Sequence, residues 1–541
     1  MCRTLLIAAI WTVAATAASA QSPAPRATEQ PAVRLTVDEA VKMALDHNID
    51  LAGDRLDPRI GDMRIAAANG AFRPLFSTTL QQNNQLEPPS SFLVPVPTRT
   101  NDTTTNVGIT QTLSRFGTSY RVSWNMVHTS SNSFLNSFDP LVQSGLSLNL
   151  SQPLLRNLAI DPARERLATS RLDRDIASSR LRESVVRTTA GVKTAYWNLV
   201  TAVANVDARK SALDLSEELV RVNQAKVNVG QAPPLDLVAA KAEVAANQEQ
   251  LVIAETTVKQ VEDQLRALIF DTSDRSVWNL KIVPIDPPPH GTAPPDLDAA
   301  IANALRDRAD LARARKDIDR AQVDVKFTEN QRLPDLRVNA SYLARGLGGT
   351  EVLRDGQFPG TVIGSGSVIG FGSVLDQLFR GQYSTWSVGL TLNYPIGQSV
   401  EQAEHARARL EHEQTQQRLK GAESRAIQQV RDAWRNIEMN AKRIETTRAA
   451  RELAVERLDA ERKRFDVGIS TSFLVIQAQR DLAQARTNEL AATLAYDLAL
   501  VDFEALQQAG PDELGAAPAT AAAVSAPMAP TVSTSSTGST R

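Results

Sequence analysis

Cysteine is all but absent from this chain. Its only cysteine is Cys2, close to the start, so the rest of the chain has no disulfide, no thiolate nucleophile and no cysteine metal ligand. Charge of one sign is missing too: 59 Lys and Arg face 61 Asp and Glu, which argues against a nucleic-acid partner held by net charge. Histidine is scarce, at five residues, and no H-E-x-x-H, G-x-S-x-G, Walker or paired C-x-x-C spacing occurs. His405 and His412 share a helical face but lie seven residues apart, too far to ligate one ion from adjacent turns, and are expected at the surface. Gly364-Ser365-Gly366 with Gly370 places its third glycine one residue late for a dinucleotide fingerprint; a flexible loop is expected there. These absences leave no catalytic constellation, no metal site and no cofactor, and they predict a protein that is not an enzyme.

Long apolar runs are lacking as well. The one apolar run near the start, Leu5 to Ala18, follows Arg3 and ends in Ala18-Ser19-Ala20, the three-part pattern of a secretory signal over residues 1–20. The mature chain is then expected to begin near Gln21. Cys2 sits in the charged end of that signal, so it cannot be the acylated first residue of a lipoprotein. Beyond it, no run reaches the roughly 18 apolar residues of a membrane-spanning helix. If the chain spans a membrane, it must do so as a closed β-barrel, the other arrangement that satisfies every backbone polar group in lipid.

What the chain does contain is one architectural unit written twice. With a shift of 260, Asp38, Ala40, Ala44 and Leu45 fall on Asp298, Ala300, Ala304 and Leu305, and Asp50, Leu51, Arg55 and Pro74 fall on Asp310, Leu311, Arg315 and Pro334. With a shift of 238, Val192, Ala195 and Asn198 fall on Val430, Ala433 and Asn436, and Val229-Gly230 falls on Val467-Gly468. After a linker at 21–34, the first unit is expected over residues 35–270 and the second over 297–510. A proline-rich linker at 271–296 joins them, and the Ala/Pro/Ser/Thr-rich tail at 511–541 is expected to be disordered.

Each unit opens with a helical segment, Val37 to Ala71 and Leu297 to Arg332, with a kink expected at Pro58. After Pro74 and Pro334 the period switches to two. Tyr120, Val122, Trp124 and Met126 alternate with polar residues, as do Val107 and Ile109, Leu146 to Leu150, Leu336 to Tyr342 and Val388 to Tyr394. Such strands suit a soluble sandwich or a barrel with lipid on one side and water on the other, and periodicity does not separate the two. The interval 74–153 holds four strand-like stretches, and Gly346 to Gly381 is expected to be a long loop.

Two long helices then follow in each unit, about 163–229 and 236–269, and about 398–467 and 473–508. Val192, Leu199, Val206, Leu213, Val220 and Val227 recur every seventh residue, and Val430, Ile437, Ile444, Leu458 and Phe465 hold the matching seam, interrupted by Arg451. Ala478, Ala485, Ala492 and Ala499 on the last helix imply close approach. Gly230-Gln231-Ala232-Pro233-Pro234 and Gly468-Ile469-Ser470-Thr471-Ser472 are helix stops followed by restarts, so each pair is an antiparallel hairpin. At 1.5 Å per residue the first helix extends about 100 Å, far beyond the needs of a globular domain.

Three motifs carry a family resemblance. Ala44-Leu45-Asp46-His47-Asn48-Ile49-Asp50-Leu51, the corner Ser151-Gln152-Pro153-Leu154-Leu155-Arg156, and the tip Arg464-Phe465-Asp466-Val467-Gly468-Ile469-Ser470-Thr471 with Leu474 and Ala478 resemble, in that order, the TolC-like outer-membrane efflux proteins. The likeness covers about Leu35 to Gly510. It implies an α+β, mainly α fold: a homotrimer whose twelve-stranded β-barrel, about four strands per chain, sits in outer-membrane lipid and continues as a periplasmic α-helical barrel. It also implies a passive conduit of a tripartite efflux or type I secretion system, working with a periplasmic adaptor and an inner-membrane transporter of RND, ABC or MFS type. With four strands per chain, one of the hairpins within 74–153 is expected to lie outside the barrel count, either lengthening the barrel or covering its mouth.

In such proteins polar links at the periplasmic tip hold the tube shut. The sixth residue after Gly230 is Asp236, matching an aspartate used in such links. The arginine expected two residues after Gly468 is Ser470, and the pore-lining aspartates expected six and nine after it are Leu474 and Gln477. The expectation for this chain is closure by an apolar Leu474 constriction, with Asp236 bonding Ser470 or a neighbouring hydroxyl. The plainer alternative makes Leu474 a seam residue and Asp236 a charge at a helix start. A periplasmic adaptor would carry one hairpin rather than a duplicated pair, and a coiled-coil structural protein of the envelope would leave the alternating strands without a role.

Overall fold

A computed structural model describes residues 32–89, 96–133, 136–271, 273–287, 295–357, 360–397 and 399–508. The signal at 1–20 and the tail at 511–541 lie outside the described residues. The first unit comprises strand β1 (Ala32–Leu35), helices α1 (Val37–His47), α2 (Ile49–Asp54) and α3 (Leu56–Gly70), strands β2 (Leu75–Glu87), β3 (Thr98–Thr112), β4 (Ser119–Ser131) and β5 (Phe138–Pro153), and helices α4 (Pro162–Asn228) and α5 (Pro234–Ile269). A short 3-10 turn (Arg275–Asn279) and β6 (Lys281–Pro284) lead to the second unit. That unit comprises α6 (Leu297–Asp307), α7 (Ala309–Gln331), β7 (Asp335–Asp355), β8 (Thr361–Ile369), α8 (Phe371–Phe379), β9 (Tyr383–Asn393), α9 (Val400–Asp466) and α10 (Ser472–Ala505).

The duplication governs packing as well as order. Ala40, Ala44, Val192, Ala195 and Leu199 form one buried core, and their counterparts Ala300, Ala304, Val430, Ala433 and Ile437 form another. Alanines on α1 and α6 let each short helix sit closely against its long neighbour. An aromatic beside each core uses its polar end to pin the segment before the short helix. The Tyr196 hydroxyl lies 3.0 Å from the Leu35 carbonyl and 3.1 Å from the Asp286 carboxylate, while the Trp434 indole donates to the Pro295 carbonyl at 2.9 Å.

Helix boundaries follow local chemistry. Thr36 and Glu39 close a capping box on α1, and Asp161 caps α4 with Pro162 in its first turn. The opening helical segment breaks at Asn48 and Arg55, not at Pro58 as expected: Pro58 falls in the first turn of α3, where its missing N–H costs no helical bond. Asn48 instead ends α1 and caps α2 by accepting from the Leu51 amide. In the second unit the equivalent break falls at Arg308.

Three further expectations change. The linker at 21–34 ends in β1, and the proline-rich linker holds β6; the two pair in parallel from Ala32–Lys281 to Leu35–Pro284. The glycine-rich stretch is ordered rather than a loop: β7 runs through it to Asp355, Gly364 and Gly366 lie in β8, and Gly370 caps α8. Gly346 and Gly348 are there for closeness, since a Cβ on either would lie 2.2 Å from the Val374 carbonyl or 2.5 Å from its methyl group. His405 is buried rather than at the surface, with Nδ1 3.3 Å from the Thr328 hydroxyl.

Seven strands share one sheet in the order β2-β3-β4-β5-β7-β8, with β9 also pairing β7. The helices α4 and α9, each 67 residues long, span about 100 Å. Among the described residues, no helix is long and apolar enough to cross a membrane.

The seam of the last hairpin holds one strained group. Asp497 of α10 is 3% exposed, and burial raises its carboxyl from 3.8 to about 7. The folded state therefore resists ionisation that the unfolded chain undergoes near pH 3.8, so this group lowers stability progressively from about pH 4 to pH 7 and by a constant amount above. Asp497→Asn should raise stability by about 4 kcal/mol at pH 8 and leave it nearly unchanged at pH 4. Melting of the purified protein at the two pH values checks this.

Candidate functional site

The two hairpin tips carry the predicted site residues, and the chain folds both in the same way. Helix α4 ends when Gly230 enters the left-handed region at φ 75°, and α9 ends at Gly468 with φ 81°. The Gly230 amide donates to Val227 at 3.0 Å and Gln231 to Lys226 at 2.8 Å; Gly468 donates to Phe465 at 3.1 Å and Ile469 to Arg464 at 2.9 Å. This paired arrangement is the Schellman motif, which satisfies the last carbonyls of a helix and reverses the chain. A Cβ on either glycine meets nothing within 4 Å, so the requirement is purely conformational.

Beyond each turn the return helix begins at once. Asp236 lies in the first turn of α5, half-buried, with its backbone carbonyl accepting from the Asn223 amide at 3.4 Å. Ser470 donates its hydroxyl to Glu461 of its own hairpin, so within one chain it does not bond Asp236. Leu474 is 44% exposed, while Val475, Ile476, Ala478 and Leu482 fill the seam beside it. Within one chain Leu474 stands outside that apolar cluster. Gln477 is half-buried and donates to Asp481 at 2.9 Å.

The contacts that join the two hairpins involve residues absent from the sequence-based candidates. Lys226 of α4 donates to the Phe465 carbonyl at 2.7 Å and sits 3.6 Å above the Phe465 ring, combining a charge-assisted hydrogen bond with a cation–π contact. Further from the tip, Arg480 of α10 reaches Glu243 of α5 at 2.6 and 3.0 Å. The Glu243 side chain is only 6% exposed, and its charge and hydrogen bond hold the Arg480 guanidinium above its ordinary pKa. Gln479 adds a bond to the Leu215 carbonyl at 3.0 Å.

A signal for the ion pair was present in the sequence. Glu243 and Arg480 stand thirteen and twelve residues after their tip glycines, so they lie at similar depth on the two return helices. Arg451, which interrupts the seam of α9, is answered by Glu489 of α10 at 2.8 Å. Among the described residues, no group of His, Cys, Asp or Glu could hold a metal ion.

Because both tip glycines lack steric neighbours, Gly230→Ala and Gly468→Ala should each cost about 1–2 kcal/mol from backbone strain alone. Limited proteolysis should show faster cleavage at the altered tip, with the rest of the chain unaffected.

Comparison with known proteins places this geometry. The chain superposes on the Campylobacter jejuni CmeC outer membrane channel with a TM-score of 0.59 and 16% identity, covering 88% of this chain and 86% of that one. It superposes on the Vibrio cholerae outer membrane protein VceC at 0.59 and 15% identity, covering 88% and 96%. For the open state of the Neisseria gonorrhoeae MtrE outer membrane channel the values are 0.58 and 16%, covering 87% and 89%. Curated proteins gave no match. The profile of one family, described as outer membrane efflux protein, matches residues 40–269 and again 300–509. Matched in both of its units, the chain belongs to the outer membrane efflux protein family.

Proposed function

We propose that three copies of this chain form a passive channel of a tripartite efflux or type I secretion system, seated in the outer membrane with its helical part in the periplasm. The observation that carries the reading is the union, in one duplicated chain, of a two-faced sheet and helices about 100 Å long that turn back as hairpins. One sheet face is apolar, with Val122, Trp124, Leu146, Leu148, Val388 and Leu390; the other is polar, with Ser123, Ser147, Asn339, Ser341 and Ser387. That is the division a barrel needs between lipid and a watery lumen. Energy and cargo selection come from an inner-membrane transporter of RND, ABC or MFS type, and contact comes through a periplasmic adaptor. Exposed Val229, Leu235, Val467, Ile469 and Phe473 at the tips offer that adaptor an apolar surface.

Closure at the periplasmic end rests on Leu474 as an apolar constriction, with Asp236, Ser470 and Gln477 around it and Gly230 and Gly468 setting the turns. The Arg480–Glu243 pair holds the second hairpin against the first. Removing Arg480 leaves a buried carboxylate without its cation; discounted for the guanidinium's own exposure, this costs about 1–2 kcal/mol.

Cell fractionation tests the channel: heat-modifiable trimers in the outer-membrane fraction are expected, and a soluble periplasmic monomer would exclude the reading. Planar-bilayer recording tests the closure. Both Leu474→Gly and Arg480→Ala should raise the mean conductance several-fold over wild type. Unchanged conductance in Leu474→Gly removes Leu474 from the gate, and in Arg480→Ala removes the ion pair.

A further inference from the structure

We propose that the hairpin of β3 and β4 belongs to the membrane wall, so that three chains close a barrel of eighteen strands rather than twelve. The proposal rests on the trimeric channel reading above. Its basis is the path of the sheet: six strands lie side by side as β2-β3-β4-β5-β7-β9, with β8 continuing from β9 along the far end of β7. Three such sets make eighteen.

β3 is not an appendage to this sheet. It pairs with β2 from Leu75–Thr110 to Glu87–Thr98 and with β4 from Thr100–Ser131 to Thr112–Ser119, without a register shift. β4 in turn pairs with β5 from Ser119–Ser151 to Thr129–Leu141. A hairpin covering the mouth or filling the lumen would leave β2 to pair with β5; here both of its strands stand between them.

Register carries an apolar row through the hairpin. Phe76 stands opposite Ile109, Ile109 opposite Val122, Val122 opposite Leu148, Leu148 opposite Tyr342, and Tyr342 opposite Trp386. Opposed residues share a face, so one apolar row crosses all six strands. The next row runs through Ser77, Gly108, Ser123, Ser147, Leu343 and Thr385; it is polar at four of six positions, with a glycine at a fifth, and includes a Ser123–Ser147 hydroxyl pair at 2.6 Å. A one-residue slip at β3 or β4 would have turned polar residues towards lipid.

The turn of the hairpin is also built into the strand-to-helix corner. Leu113 donates to the Thr118 carbonyl at 2.7 Å, and Gln152 donates to the Phe116 carbonyl at 3.2 Å. A Cβ on Gly117, at φ 65°, would lie 2.9 Å from the Asn157 carbonyl. The turn therefore sits at the level where β5 passes into α4.

The outer strands supply the joint. Both β2 and β9 are exposed along their whole length. β2 leaves the helical end of the sheet and β9 returns to it, so β9 of one chain meets β2 of the next antiparallel, as in every other pair of this wall. In lipid those edges require a partner, and a second copy of this chain presents the complementary edge. Eighteen strands about 4.8 Å apart and tilted by about 40° need a circumference of roughly 110 Å, whereas twelve need roughly 75 Å.

Electron cryomicroscopy of the full mature chain in lipid nanodiscs tests this. The expected map shows threefold symmetry, eighteen strands and a backbone wall about 36 Å across, against about 24 Å for twelve strands. A threefold barrel of twelve strands, with β3 and β4 folded elsewhere, overturns the inference and leaves the channel reading standing. Absence of any trimeric barrel overturns the channel reading and this inference with it. As a second measurement, Ser123→Cys with Ser147→Cys in the cysteine-free mature chain should form an intrachain disulfide in assembled trimers. Trimers in which no disulfide forms would show that β4 does not lie against β5.

Discussion

A strand edge in hydrocarbon leaves its amides and carbonyls without partners, at several kcal/mol for each group, and this constraint organises the whole chain. It requires the sheet to close on copies of itself, and so sets the even, antiparallel succession from β2 to β9. It also requires one face of every strand to be apolar. The register that aligns Phe76, Ile109, Val122, Leu148, Tyr342 and Trp386 is the means by which six separate segments share one apolar row.

The helices inherit their positions from that sheet. At the corner after β5, Arg164 donates to the carbonyls of Asn157, Leu158 and Ala159 at 2.6, 2.9 and 3.0 Å and pairs with Asp161, so the strand turns into α4 without leaving buried carbonyls unanswered. Arg156 bonds Gln331 at 2.7 Å and Asn157 bonds Asn330 at 2.7 Å, tying the first unit to the second where both meet the sheet. About 100 Å away, Lys226 and the Arg480–Glu243 pair tie the units again. Between these ends the seams are mainly apolar, interrupted by the buried Asp497 and by the Arg451–Glu489 pair.

Much of this was legible in the chain alone because duplication repeats every signal. The shift of 238 carries Pro162 to Val400 and Asn228 to Asp466, and these are the observed ends of α4 and α9. The shift of 260 carries Asn48 to Arg308, and the helices break at both. Pro58 misled because a proline counts as a breaker only when its amide is needed. The glycines from 346 onwards misled because closeness to Val374, not freedom, was their reason for being there. Carrying gate positions from a family located the tips but not the links, since Ser470 found its acid, Glu461, in its own hairpin, and the charged pair between hairpins lay at a depth the motif does not include.

By itself the sequence determined the period of the long helices and of most strands, the two glycine stops at the hairpin tips, and the two-unit plan, because each depends on residues near one another in the chain. Tertiary structure alone decided which strands stand side by side and which charges meet. Strand pairing and ion pairs join residues far apart in sequence, and an alternating strand reads the same whether it stands inside the wall or outside it. Only the register of β3 between β2 and β4 showed where that hairpin stands in the sheet.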